Sequence, residues 1–243
     1  MNCPRYFAFL LLMLFFAFNK TNGQTSSYSN QSASYKNAKV YFQNETGEDA
    51  HLYTGEQYTG YEKNIKGYPF FVSPLMQNGD IFYNGSLYQN VPLLFDIVRQ
   101  EIVINRYNQN FRIKLLNEKV KYFTLAGHRF ENITVTEGKD ENIVNGIYDI
   151  VFDGKTSVFV KRIKRIKYPF KAEDPPGFIE EDVFYIRTGN TMYAVDNRST
   201  LLQALNDKRE LIKTYVRKNK LKFKKKIEKE LIMIAVYYST LNK

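Results

Sequence analysis

The sequence predicts an α+β fold, an antiparallel β-meander curved into an open half-barrel or sandwich, with a C-terminal helical hairpin packed on it. Three observations predict it. Short aromatic and β-branched runs separated by turn residues fill the chain from about Lys39 to Asn197. Their connections are too short to hold crossover helices, so neighbouring strands pair antiparallel. After Asn197 the apolar spacing changes to the 3.6-residue period of a helix.

Taken in order, residues 1–23 read as a signal peptide. Arg5 supplies a basic n-region, Tyr6–Phe18 an uncharged run of thirteen residues, and Thr21-Asn22-Gly23 the small residues of a cleavage site. A membrane-spanning helix needs roughly 20 apolar residues, so cleavage before Gln24 is expected, leaving no transmembrane span. Cys3 precedes the apolar run, where it could not accept a lipid. Residues 24–38 are Ser/Asn/Gln-rich and bury too little apolar area to offset their ordering entropy, so they read as a disordered leader.

The β domain follows over residues 39–197. Its clearest element is the hairpin Gly79–Tyr88, where Asn84-Gly85 suits the two positive φ values of a type I′ turn. Further strands read at 93–98, 101–106, 111–115, 119–125, 128–135, 146–152, 157–163, 182–187 and 192–195. Residues 108–110, Ala126-Gly127 and Thr188-Gly189-Asn190 are hairpin-length connections. Residues 136–142 read as a polar loop. So do residues 171–182, which carry Pro175-Pro176-Gly177 and five carboxylates without the spacing of a calcium loop.

Residues 198–243 form the basic helical hairpin. Ser199 is the expected N-cap of a helix running to about Lys218, with Leu201, Leu205, Ile212 and Val216 on one face. Asn219 is the expected C-cap, and a second helix is expected from about Lys222 to Leu241. Leu231–Tyr238 is apolar or aromatic all round, which requires cover on two sides, by the sheet and by the preceding helix.

Charge is the second theme. The chain carries a formal +10, and about +8 once Arg5 and Lys20 leave with the signal. Residues 208–229 hold eleven basic side chains against Glu210 and Glu228, so nearly all the excess is local. A field of this kind attracts an anionic partner. The candidate contact residues are Arg217, Lys218, Lys220, Lys222, Lys225, Lys226 and Lys229.

Catalytic motifs are missing. There is no Gly-x-Ser-x-Gly elbow, His-Glu-x-x-His, phosphate-binding glycine loop or dinucleotide fingerprint, and only two histidines, His51 and His128. His128 reads as an exposed turn residue. Asp96, Glu101, Asp149 and Asp153 remain as surface carboxylates able to supply a hydrolytic pair. The 19 Tyr and 19 Phe read as β packing. No cofactor and no metal site is expected.

Cys3 is the sole cysteine, so the mature chain forms neither disulfides nor thiolate metal sites. Secreted eukaryotic domains usually exploit disulfides, which favours a bacterial envelope setting over a glycosylated one despite sequons at Asn30, Asn44, Asn84, Asn132 and Asn197. The stretch from Leu52 to Leu241 also resembles a family of uncharacterised exported proteins of Bacteroidota. The resemblance is carried by Leu52-Tyr53-Thr54-Gly55, by Gly79, Tyr83, Gly85, Tyr88, Asn90 and Val91 in their spacing, and by Lys119-Val120-x-x-Phe123 with Gly127 and Phe130. Lys208–Lys226 ahead of Tyr237-Tyr238 completes it. It implies an envelope address and adds nothing about catalysis.

The expected function is therefore non-enzymatic binding or scaffolding at the envelope, in the periplasm, on the outer membrane or outside the cell. Its partner is an anionic envelope component or acidic protein, with nucleic acid disfavoured by export. The alternative is a carrier holding a lipid or other apolar ligand in the concave sheet, and a carboxylate-based hydrolase ranks third.

Overall fold

The alternation read in the sequence is realised in thirteen strands of this computed structural model, which describes residues 52, 55–105, 111–134, 145–171, 173–223 and 227–241. They are β1 (Glu56–Gln57), β2 (Gln77–Tyr83), β3 (Ser86–Asp96), β4 (Glu101–Asn105), β5 (Arg112–Lys114), β6 (Val120–Leu125) and β7 (His128–Ile133). After them come β8 (Gly146–Phe152), β9 (Thr156–Lys161), β10 (Lys164–Lys167), β11 (Gly177–Glu180), β12 (Val183–Thr188) and β13 (Thr191–Ala194). The expected signal, leader and 136–142 loop, and the 108–110 connection, lie outside the described residues.

Eleven strands form one open antiparallel sheet in the order β1-β5-β4-β3-β2-β6-β7-β8-β9-β12-β13. Two meanders thus run in opposite directions from the central β2–β6 pair. Three helices follow, α1 (Arg198–Ala204), α2 (Arg209–Lys218) and α3 (Glu228–Leu241), so the α+β class and its C-terminal helices are as the sequence predicts.

The hairpin forms as expected. Asn84 and Gly85 take φ values of 48° and 82°, joining β2 to β3 through two residues. A Cβ at Gly85 would meet nothing within 4 Å, so its substitution tests the backbone alone. Gly85→Val is expected to cost about 1–3 kcal/mol in chemical denaturation. An unchanged midpoint would contradict the turn.

Beyond the hairpin, β3 is one long strand where the sequence suggests two. It pairs with β2 over Ser86–Leu93 and with β4 over Leu93–Asp96, bending so that one strand serves both neighbours. The bend is absorbed by Asn90, at φ 57°, whose N–H donates to Asp80 Oδ1 at 2.9 Å, and by a bulge between Gly79 and Ile81. A Cβ at Gly79 would fall 1.9 Å from the Thr124 carbonyl oxygen, so only glycine lets β6 approach there.

The sheet's inner side is filled by aromatic rings. Phe123 and Phe130 stack at 4.7 Å, and Phe95 meets each at 5.3 Å. A second core joins Val158, Val160, Phe184 and Ile186 to Leu201, Leu205, Ile212, Val216, Leu231 and Ile234. It fixes α1 on β12 and β13, and α3 on β8 and β9.

Four local readings need correction. Residues 177–180 form β11, which pairs with β10 as a separate ribbon, where the sequence suggests only loop. The first helix is two, because the chain passes through a 3-10 turn at Asn206–Lys208. Its N-cap is Asn197, not Ser199: the Asn197 side chain accepts from the N–H of Ser199 and Thr200 in a capping box. The last helix starts at Glu228, not Lys222, and Lys220 reverses the chain at φ 52° after the Asn219 cap.

Candidate functional site

The expected contact residues fall on α2, on the segment after it and on α3. Arg217 and Lys218 form the last turn of α2, where cations complement the helix dipole. Ile212 and Val216 are buried on the other side of this helix, and they fix which side the cations present. Arg217, Lys218, Lys220 and Lys222 are all exposed, and none pairs with a carboxylate among the described residues. Arg209 and Lys213 extend the exposed surface, Lys213 lying 3.5 Å from Glu210. Lys229 sits in the first turn of α3 and lines a cavity. Lys225 and Lys226 lie outside the described residues.

A second feature escapes the motif reading. Arg162, directly after β9, is nearly buried and gathers three carboxylates. Its Nε and Nη2 donate to Asp149 Oδ2 at 2.8 and 2.6 Å. Its Nη1 donates to Asp182 Oδ2 at 2.9 Å and to Glu228 Oε2 at 2.8 Å. Burial alone would pull the guanidinium pKa down, but the bonds to Glu228, Asp149 and Asp182 outweigh it and push it up. The cluster connects β8, β9, the entry to β12 and the first residue of α3.

The face of the sheet explains this placement. Asp149 continues the phase of Ile147, and Arg162 that of Val158 and Val160, all of them buried. A cation and an anion that continue an apolar alternation are the available sequence signal. His128 completes the group, with Nδ1 2.8 Å from Asp149 Oδ2 and its ring edge-on to Phe71 at 5.0 Å. It is two-thirds buried and bonded, not the exposed turn histidine that Gly127 suggests.

The four candidate hydrolytic carboxylates are also accounted for. Asp96 and Asp149 are not on the surface, since both are fully buried. Asp96 faces Glu101 across the β3–β4 register. Its oxygens nevertheless accept from the Tyr58 and Tyr61 hydroxyls and from the N–H of Val98 and Arg99. Burial, and then Asp96, push both tyrosine pKa values up. Glu101 accepts from Lys114 at 3.1 Å, and Asp153 from the Ser157 hydroxyl at 2.8 Å.

One more buried cation pins the segment from Tyr68 to Ser73. Lys164 donates to the Phe70 and Tyr68 carbonyls at 2.7 and 3.2 Å, and burial pulls its pKa down. Between this segment, the sheet and α3 lies a cavity of about 470 Å³. Among the described residues no three His, Cys, Asp or Glu side chains are grouped to hold a metal, and no helix is long and apolar enough to cross a membrane. No protein-family model, curated protein or solved structure matches the chain.

Proposed function

We propose that this is an exported envelope protein that binds an anionic component of the envelope through its basic C-terminal helices, without catalysis. The observation that carries the reading is the division of α2 and the segment after it: Ile212 and Val216 anchor the helix, while Arg217 and Lys218 on it and Lys220 and Lys222 beyond it stay exposed without carboxylate partners among the described residues. Exposed charges contribute little to folding stability but steer association, so such a surface suits recognition. The signal-like first 23 residues supply the address, and the Asn132 amide nitrogen donates to the Asn117 and Val120 carbonyls, bonds that a glycan there would disrupt. The carrier reading has less support, because Phe95, Phe123 and Phe130 fill the inner side of the sheet.

The test replaces Arg217, Lys218, Lys220 and Lys222 together with Gln. The variant is expected to unfold at the wild-type temperature and to lose cosedimentation with native envelope fractions at low salt. Protease treatment of the fraction distinguishes an acidic protein from a lipid or polymer. Cosedimentation equal to wild type would make the surface merely solubilising and would overturn the reading.

A further inference from the structure

The sequence requires that Leu231–Tyr238, apolar on every side, be covered all round. The described residues cover it incompletely. Leu231, Ile234, Ala235 and Tyr238 are buried in the core, and Tyr237 stacks on Tyr215 of α2 at 4.1 Å. Ile232 and Met233 instead line the cavity of about 470 Å³, facing Phe71, Val72, Ile97 and Phe184. That volume is within the range of small-molecule sites, roughly 300–1,000 Å³.

The cavity has one polar wall, formed by Arg162, Asp182 and Glu228, with Glu180 and Lys229 opposing each other in charge. Behind it stands Asp149, so three carboxylates share one guanidinium. The charged residues that line the cavity, Arg162 and Lys229 against Glu180, Asp182 and Glu228, leave one net negative charge on its surface. The neighbouring ammonium of Lys164 is turned to the Phe70 and Tyr68 carbonyls. One oxygen of Asp149, a residue with no exposed surface, has no hydrogen-bond partner among the described residues. Buried negative charge in excess of its cations is costly unless a cation joins it.

The wall at Val72 is held in an unusual conformation. Val72 has φ 54°, rare for a β-branched residue, while the Ser73 N–H donates across it to the Phe71 carbonyl at 2.5 Å. Strain of this kind persists where the surroundings impose it, and it concentrates at ligand clamps.

We infer that this cavity binds a small amphiphile with an apolar body and a single cationic head, the body against Phe71, Phe184, Ile232 and Met233 and the head against Asp182 and Glu228. The site is separate from the basic surface, which attracts anions.

Calorimetric titration of the purified protein with n-decylammonium, decyl maltoside and decyl sulfate, each below its micellar concentration, tests the inference. Decylammonium is expected to bind at one site, at least roughly tenfold tighter than the maltoside. Met233→Trp fills the cavity and Val72→Trp obstructs its exposed mouth, so each should weaken decylammonium binding by about the same factor. The second variant keeps the test valid if the first fails to fold. Decyl sulfate held by the lysines would be indifferent to both. Equal affinity for the maltoside would overturn the cationic assignment. Absence of saturable binding, or binding untouched by either Trp variant, would overturn the site itself, and neither result bears on envelope cosedimentation.

Discussion

Replacing Arg162 with Leu is expected to remove much of the protein's stability, about 3–5 kcal/mol, because it leaves a buried ion cluster without its cation. Native domains are stable by only about 5–15 kcal/mol, so the loss is a large fraction of the whole. The side chain of Arg162 is 9% exposed and that of Asp149 is fully buried, so water cannot replace the lost bonds at Asp149. The effect reaches beyond one strand, since Glu228 and Asp182 lose the same partner. Arg162→Lys should not rescue, because one ammonium cannot replace the Nε and Nη2 bonds that converge on Asp149 Oδ2 while also reaching Asp182 and Glu228. Removing Asp149 as well, in Arg162→Leu with Asp149→Leu, should recover part of the loss. Chemical denaturation measures all three. A loss below about 1 kcal/mol for Arg162→Leu would show a solvated cluster that does not hold α3 to the sheet.

The second large effect is expected from Leu231→Asp and Ile234→Asp. Both positions are fully buried where α3 packs on β8 and β9. Each substitution places an unpaired carboxylate among Val158, Val160 and Leu201, at a cost of several kcal/mol, about 4 or more. Val236, on the exposed side of the same helix at 47%, is the control, and Val236→Asp should stay within about 0.5 kcal/mol. Similar losses at all three positions would mean that the helix responds to charge in general. Wild-type stability in the buried pair would mean that α3 is not part of the core.

These contrasts also show what was legible in the sequence. The Asn84-Gly85 hairpin was legible because two adjacent residues needing positive φ leave few alternatives. Leu201, Leu205, Ile212 and Val216, which the sequence places on one helical face, are all buried, since helical spacing survives the short break between α1 and α2. The break itself was hidden: a 3-10 turn keeps the chain coiling, and Asn206-Asp207-Lys208 resembles any polar helical face. The start of α3 is not legible because lysine is a good helix former, so propensity alone extends the helix back to Lys222. β11 is hidden because Pro175-Pro176-Gly177 and its acidic neighbours dominate the local composition, whereas the strand depends on its partner Lys164–Lys167.

The candidate sites divide similarly. The basic surface is a property of composition and is visible without coordinates. The Arg162 cluster joins residues up to 100 positions apart in sequence in the sense that His128 and Glu228 meet through Asp149 and Arg162. Only the fold brings them together. Their one local sign, Asp149 and Arg162 continuing apolar alternations, is weak where both faces of a strand are covered, as in Ser157–Val160.

The proposed binding of an anionic envelope component by an exposed basic surface, separate from the core that holds it, is open to direct test. Its most direct measurement is cosedimentation of wild type and the four-residue Gln variant with native envelope fractions across a salt series. From about 0.1 M to about 1 M salt the Debye length falls from about 10 Å to about 3 Å, so association through exposed charges weakens steeply. Wild-type binding is expected to be strong at the low end and lost at the high end, and the variant to be weak throughout with an unchanged unfolding temperature. Wild-type binding that persists in high salt, matched by the variant at every concentration, would contradict it.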